Sequence, residues 1–110
     1  MNRAKIEAIV PDMMAGRVVF ITNGSEGIGM ETVKLFKKAG AAVAVNGCSK
    51  CAAVLESELA GTEHLVLTKD LTDEKQVEEA FARINEELGE VSILVVISEY
   101  SEREIGRAHV

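Results

Sequence analysis

RVVFITNGSEGIGM, residues 17–30, begins as a short apolar run and passes through three glycines into a periodic stretch. Residues 17–22 are apolar and rich in β-branched side chains, with Gly16 before them and Asn23-Gly24 after. A strand buried on both faces reads this way. From Gly27 to Ala39 the apolar residues Ile28, Val33, Leu35 and Phe36 fit a helix that stops at Gly40, since glycine is suited to a left-handed position after a helix end. Strand, glycine loop and helix follow one another without a break.

The same unit recurs downstream. AAVAVN (41–46) is a second buried strand, and KCAAVLESELAG (50–61) places Ala53, Val54 and Leu59 along a helix that ends at Gly61. HLVLTK (64–69) is a third strand. Asp73 stands where an N-cap belongs, with Gln76 three residues on as in a capping box. Val77, Ala80, Phe81, Ile84 and Leu88 then mark the apolar stripe of a long helix closed by Gly89, and VSILVVI (91–97) is a fourth strand. Upstream, residues 1–15 carry Ile6, Ile9, Val10, Met13 and Met14 at near-helical spacing, but Pro11 limits any helix to a short piece. They are expected to form a lead-in segment packed on the sheet. Alternating strands and helices with right-handed crossovers specify a parallel sheet covered by helices on both faces. No linker or low-complexity tract divides residues 16–98, which read as one folded unit followed by a polar tail at 99–110.

Composition narrows the function classes. A chain of 110 residues has room for one ordinary domain, and its three Phe, one Tyr and no Trp suit helices on a parallel sheet. The net charge of −6 and the absence of a basic stripe argue against a nucleic-acid partner. The longest apolar runs fall short of the roughly 20 residues that span a bilayer, which argues against membrane insertion. Glu7, Pro11 and Asp12 interrupt the place of a secretory apolar region, so a cytoplasmic location is expected. Cys48 and Cys51 form a C-x-x-C without the further ligands that a zinc site needs, His64 lying on a predicted strand. Reduced cytosolic thiols at a helix start are the plain reading, and a redox pair is the rival one.

The glycine loop leaves a strand and opens a helix, so the first helical N–H groups and the positive end of the helix dipole face a crevice. An anionic phosphate fits there. Gly27 and Gly29 stand where a Cβ would block a pyrophosphate, with Ile28 turned back toward the core, in a G-x-x-G-x-G spacing that counts Gly24, Gly27 and Gly29. A triphosphate-binding loop would need Gly-Lys-Ser/Thr, whereas this chain has Gly29-Met30-Glu31. Dinucleotide binding is the reading that the placement favours.

GRVVFITNGSEGIG (16–29), GAAVAVNGCSK (40–50), DLTD (70–73) and ILV (93–95) together resemble the short-chain dehydrogenases/reductases, over roughly residues 14–101. The resemblance implies a Rossmann-like α/β three-layer sandwich with a four-stranded parallel sheet in the order 3-2-1-4. It implies NAD or NADP as cofactor and hydride transfer between nicotinamide and an alcohol or carbonyl. Asn23, Ser25, Glu26, Gly27, Ile28 and Gly29 would then line the pyrophosphate and ribose. Asp70 would accept a hydrogen bond from the adenine amino group, with Leu71 beside the ring; Asp70 also reads as a turn residue leading into the next helix.

Several positions depart from the family pattern. Asn23 replaces the first loop glycine; asparagine tolerates positive φ, while its bulk crowds the ligand. The places where NADP-preferring members carry basic residues are Glu26 and Cys48, and Gly47 stands near the place of the ribose-binding Asp of NAD-preferring ones. Glu26 would repel a 2′-phosphate, which tilts the expectation to NAD. The family's N-N-A-G after the fourth strand is Val96-Ile97-Ser98-Glu99, a change that cofactor binding does not explain. The only tyrosine, Tyr100, has Glu104 four places on instead of the family's Lys, and a carboxylate there would oppose phenolate formation. No catalytic residue is assigned, and the chain is expected to be inactive alone. The last six residues, IGRAHV, are what the common sequencing-adapter string ATCGGAAGAGCACACGTC encodes, so the tail is expected to be non-native and the chain to be the first half of a longer reductase. The outer edge of the fourth strand would then lack its neighbour and pair with another chain. A non-enzymatic nucleotide-binding or assembly module is the alternative.

Overall fold

The computed structural model describes residues 14–24 and 27–97. Ser25 and Glu26, residues 1–13 of the expected lead-in segment, Ser98 at the end of the expected folded unit, and the tail 99–110 with Tyr100 in it lie outside the described residues.

Four parallel strands form one sheet: β1 (Val18–Ile21), β2 (Ala42–Asn46), β3 (His64–Leu67) and β4 (Ile93–Val95), in the spatial order β3-β2-β1-β4. The connections are α1 (Gly27–Lys38), a single 3₁₀ turn (Ser49–Cys51) running into α2 (Ala52–Leu59), and α3 (Glu74–Glu87). In register, β1 sets Val19 beside Val43 and Ile93, and Phe20 beside Ala44 and Leu94. The arrangement is the Rossmann-like α/β sandwich expected from the sequence.

Alternation along the strands sorts the core into two layers. Val19, Ile21, Val43 and Val45 point to one face, where Val33 of α1 and Leu55 and Leu59 of α2 pack on them. Val18, Phe20, Ala42, Ala44, Leu65 and Leu67 point to the other, where Ala80 and Ile84 of α3 cover them. The Phe20 and Phe81 rings meet edge to face, with centroids 5.2 Å apart. Every residue of β1 and β2 is buried, as expected for interior parallel strands.

Local signals hold at most helix ends. Gly40 and Gly61 have φ of +86° and +85°, and Gly89, past α3, has +117°, values at which a side chain is strained. Asp73 caps α3, but its carboxylate accepts from the Lys75 N–H at 3.1 Å, and Gln76 donates its side-chain amide back to Asp73 at 3.2 Å. Gln76 Oε1 meanwhile accepts from the Asp70 N–H at 2.9 Å. The expected capping box is thus replaced by a wider one that ties the helix to the turn before it.

Two expectations are corrected, for Ile28 and for the length of the fourth strand, and the structure fixes the inward face of α2. Ile28 is 77% exposed instead of facing the core, because the buried stripe of α1 runs through Gly29 and Val33, four apart, and Ile28 lies about 100° round the helix from Gly29. In α2 Leu55 and Leu59 form the inward pair, and Ala53 and Val54 are exposed. The fourth strand spans three residues, not seven. Past Val95 the chain leaves the ladder, and the Thr22 hydroxyl accepts the Ile97 N–H at 2.9 Å in its place.

Candidate functional site

The glycines of the β1–α1 turn serve different ends. Gly24 is buried, and its N–H donates to the Asn46 carbonyl at 3.1 Å, joining the end of β1 to the end of β2. A Cβ at Gly24 would overlap the Val45 and Val33 side chains, and one at Gly29 would overlap the Asn23 carbonyl. Those two glycines let the first turn of α1 lie against the strand end. Gly27, at φ +61°, has open space where its Cβ would stand. Of the three, Gly27 is the one that leaves clearance on the outer side of the turn.

A crevice of about 690 Å³ opens beyond the carboxyl ends of the strands. Thr22 and Asn23 reach it from β1, Asn46, Gly47 and Cys48 from β2, Leu71 and Thr72 from the segment after β3, and Val96 and Ile97 from the segment after β4. Phe20, Val77 and Phe81 supply an apolar wall. The strand order reverses here: β1 and β2 run outward to one side, while the chain from β3 crosses back to β4 on the other. Open α/β sheets bind ligands at such a switch point.

The structure therefore brings Asn23, Cys48 and Leu71 together around the crevice. Gly27, Ile28 and Gly29 stand at the opening of α1 beside it and are not among the lining residues, and Ser25 and Glu26 lie outside the described residues. Asp70 is adjacent. Its Oδ1 accepts from the Thr72 hydroxyl at 2.6 Å and from the Thr72 N–H at 3.0 Å, and these two bonds hold its carboxyl below the ordinary aspartate range. This is the turn role read from the sequence, and it presents Leu71 and Thr72 to the crevice.

Asn46 was not singled out from the sequence. It is 7% exposed at the end of β2, its Nδ2 donates to the Lys69 carbonyl at 3.0 Å, and its Oδ1 accepts from the Lys69 N–H at 2.8 Å. A side-chain amide thereby holds two strand ends together under the crevice floor. The available signal was a polar residue closing an otherwise apolar strand, AAVAVN. Among the described residues, no Asp, Glu, His, Lys, Arg or Tyr lines the crevice, and the two thiols are its reactive groups. No cluster of three or more His, Cys, Asp or Glu able to hold a metal occurs among the described residues. No helix among them is long and apolar enough to cross a membrane.

The sheet order and the position of the crevice define a doubly wound α/β fold. A family model described as short chain dehydrogenase matches residues 17–98. Glucose 1-dehydrogenase of Gluconobacter oxydans (strain 621H) is 36% identical over 93 residues, covering 81% of this chain and 35% of that protein. Carbonyl reductase family member 4 of Danio rerio is 35% identical over 80 residues, covering 72% and 34%. A solved variant of Serratia marcescens short-chain dehydrogenase/reductase superposes with a TM-score of 0.72 at 29% identity, over 80% of this chain and 38% of that one. The chain belongs to the short-chain dehydrogenase family of oxidoreductases. It spans about a third of the length of the curated relatives it matches.

Proposed function

We propose that this chain is the dinucleotide-binding portion of a short-chain dehydrogenase/reductase, that it takes NAD or NADP in the crevice, and that it transfers no hydride alone. One observation carries the reading: the ends of all four strands converge on the crevice at the point where the strand order reverses. In this reading the pyrophosphate lies over the opening of α1, where Gly27 leaves clearance and where the first N–H groups of a helix have no intrahelical acceptor. Ser25, Glu26, Ile28 and Asn23 surround it, Cys48 meets the ribose, and Leu71 and Asp70 meet the adenine. Glu26 disfavours a 2′-phosphate, so NAD is preferred over NADP. A bound nicotinamide supplies or accepts the hydride; among the described residues the crevice lining holds no tyrosine, lysine, histidine or carboxylate to pass the accompanying proton.

Calorimetric titration with NADH and NADPH tests this. Saturable binding is expected, tighter for NADH, and lost in Gly27→Val while circular dichroism stays unchanged. A folded chain that binds neither coenzyme at millimolar concentration refutes it.

That no carboxylate, imidazole, amine or phenol lines the crevice among the described residues also favours a second reading, a nucleotide-binding or assembly module without chemistry. Intact genomic sequence distinguishes the two: a downstream Y-x-x-x-K reading frame supports the reductase, and a natural stop after Val110 supports the module. The outer edge of β4, with Leu94 50% and Val96 69% exposed beside it, is the surface through which the chain self-associates. Sedimentation as a monodisperse monomer at micromolar concentration would count against that. A cytoplasmic setting, where nicotinamide dinucleotides are at hand and thiols are kept reduced, belongs to the same reading.

A further inference from the structure

The C-x-x-C stretch enters the crevice as a pair. Cys48 is exposed, Cys51 is half-buried, and both line the crevice wall at the end of β2. Their Sγ atoms stand 2.7 Å apart. The backbone fixes that approach: the Cys51 N–H donates to the Cys48 carbonyl at 3.0 Å and closes the 3₁₀ turn. A turn of this kind keeps the Cα atoms of its first and fourth residues within about 7 Å, and disulfides span Cα separations of about 4.4–6.8 Å. The turn therefore needs little movement to bring the sulfurs to bonding distance. Two thiols so placed have chemistry that lining a pocket does not require.

We infer that Cys48 and Cys51 form a reversible dithiol–disulfide site at the mouth of the crevice, and that a bound dinucleotide shields it from oxidation. The oxidant is a small-molecule disulfide, RSSR. Cys48, the more exposed, loses its proton and attacks one sulfur of RSSR; the oxidant's S–S bond breaks, and one RSH leaves. The Cys51 thiolate then attacks the Cys48 sulfur of the mixed disulfide and displaces the second RSH. Two S–H bonds are lost, one Sγ–Sγ bond forms, and the two electrons and two protons end on the two RSH molecules. Cys48 lines the space that the dinucleotide would fill, so the shielding rests on the proposed dinucleotide site, whereas the disulfide itself does not. Thiol pairs of this kind in reducing compartments are usually transient and redox-sensing.

The test uses the full 110-residue chain, oxidised glutathione, quenching by alkylation, and mass spectrometry. The expected product has both cysteines protected in one intramolecular bond, reopened by reduced glutathione. Cys51→Ser instead retains a glutathione adduct on Cys48. A wild-type chain that accumulates the same adduct, or whose thiols do not react, overturns the pairing. With NAD at ten times its dissociation constant, the oxidation rate falls about tenfold, as occupancy of one blocking site requires. A rate unchanged by calorimetrically verified NAD binding overturns the shielding. A chain that closes the disulfide yet binds no dinucleotide overturns the dinucleotide reading and the shielding with it, and leaves the dithiol site supported.

Discussion

The two faces of the sheet share the same strands and differ in what covers them. On one face α1 and α2 together seal Val19, Ile21, Val43 and Val45, each without measurable exposure. On the other, α3 is the one helix among the described residues that covers the strands, and no β4 residue belongs to the core cluster beneath it. Neighbouring residues of β4 show the contrast: Ile93 and Val95 pack into the sealed layer, while Leu94 between them is half exposed. The crevice opens on this thinner side, with Phe20, Val77 and Phe81 as its wall. The doubly covered face holds the fold together, and the singly covered one leaves room for a ligand or for more chain.

Truncations matched across the two faces give the largest expected difference. Leu55→Ala, on the sealed side, should lower unfolding free energy by about 2–5 kcal/mol in urea titration, as for other fully buried leucines. Leu94→Ala should lower it by about 1 kcal/mol or less, because half of that side chain is already in water. An equal loss at both positions would mean that something covers the α3 face in solution.

A smaller contrast lies within the β1–α1 turn. Gly29→Ala forces α1 away from the Asn23 carbonyl and should destabilise by about 1–3 kcal/mol. Gly27→Ala meets only the left-handed backbone penalty of about 1–2 kcal/mol, since its Cβ would enter open space. Thermal melts of the two variants rank them, and the reverse order would show that Gly27 is the packing residue.

The smallest effect is electrostatic. His64 Nδ1 lies 2.6 Å from the Thr62 carbonyl, and Nε2 lies 2.7 Å from the Glu56 carboxylate. Both partners only accept, so the doubly protonated ring satisfies both. The Thr62 bond, and after it the Glu56 contact, raise the His64 pKa against the opposing effect of burial. A raised folded pKa gives stability that is fully present below the unfolded value of about 6.5 and is lost as pH rises through the folded value. The expected loss between about pH 6 and pH 8 is under about 1 kcal/mol, because Glu56 is largely in solvent. Glu56→Gln should flatten that slope in melts across the range.

Element types and order were legible in the sequence, because two-residue and 3.6-residue periodicities leave different patterns and glycines mark the helix ends. The inward faces of the shorter helices were not. Ile28 and Val54 are as apolar as Val33 and Leu55, and only the contact with the sheet decides which of them turns in. At the site, the glycine loop signalled a crevice, but sequence spacing does not separate Gly24 and Gly29, which make room for protein atoms, from Gly27, which faces open space. The roles of Asn46 and Thr22 were hidden for a similar reason. Each bonds a segment distant in sequence, Lys69 in one case and Ile97 in the other.

The Asn46 amide mimics a peptide group, donating to and accepting from the same residue as a neighbouring strand would. Sheet-like bonding thus reaches Lys69, two residues past the end of β3 at Leu67, although no backbone ladder extends there. In deuterium exchange the Lys69 amide should behave as one more rung of the sheet, protected for as long as that single side chain stays in place and released when Asn46 is shortened to alanine.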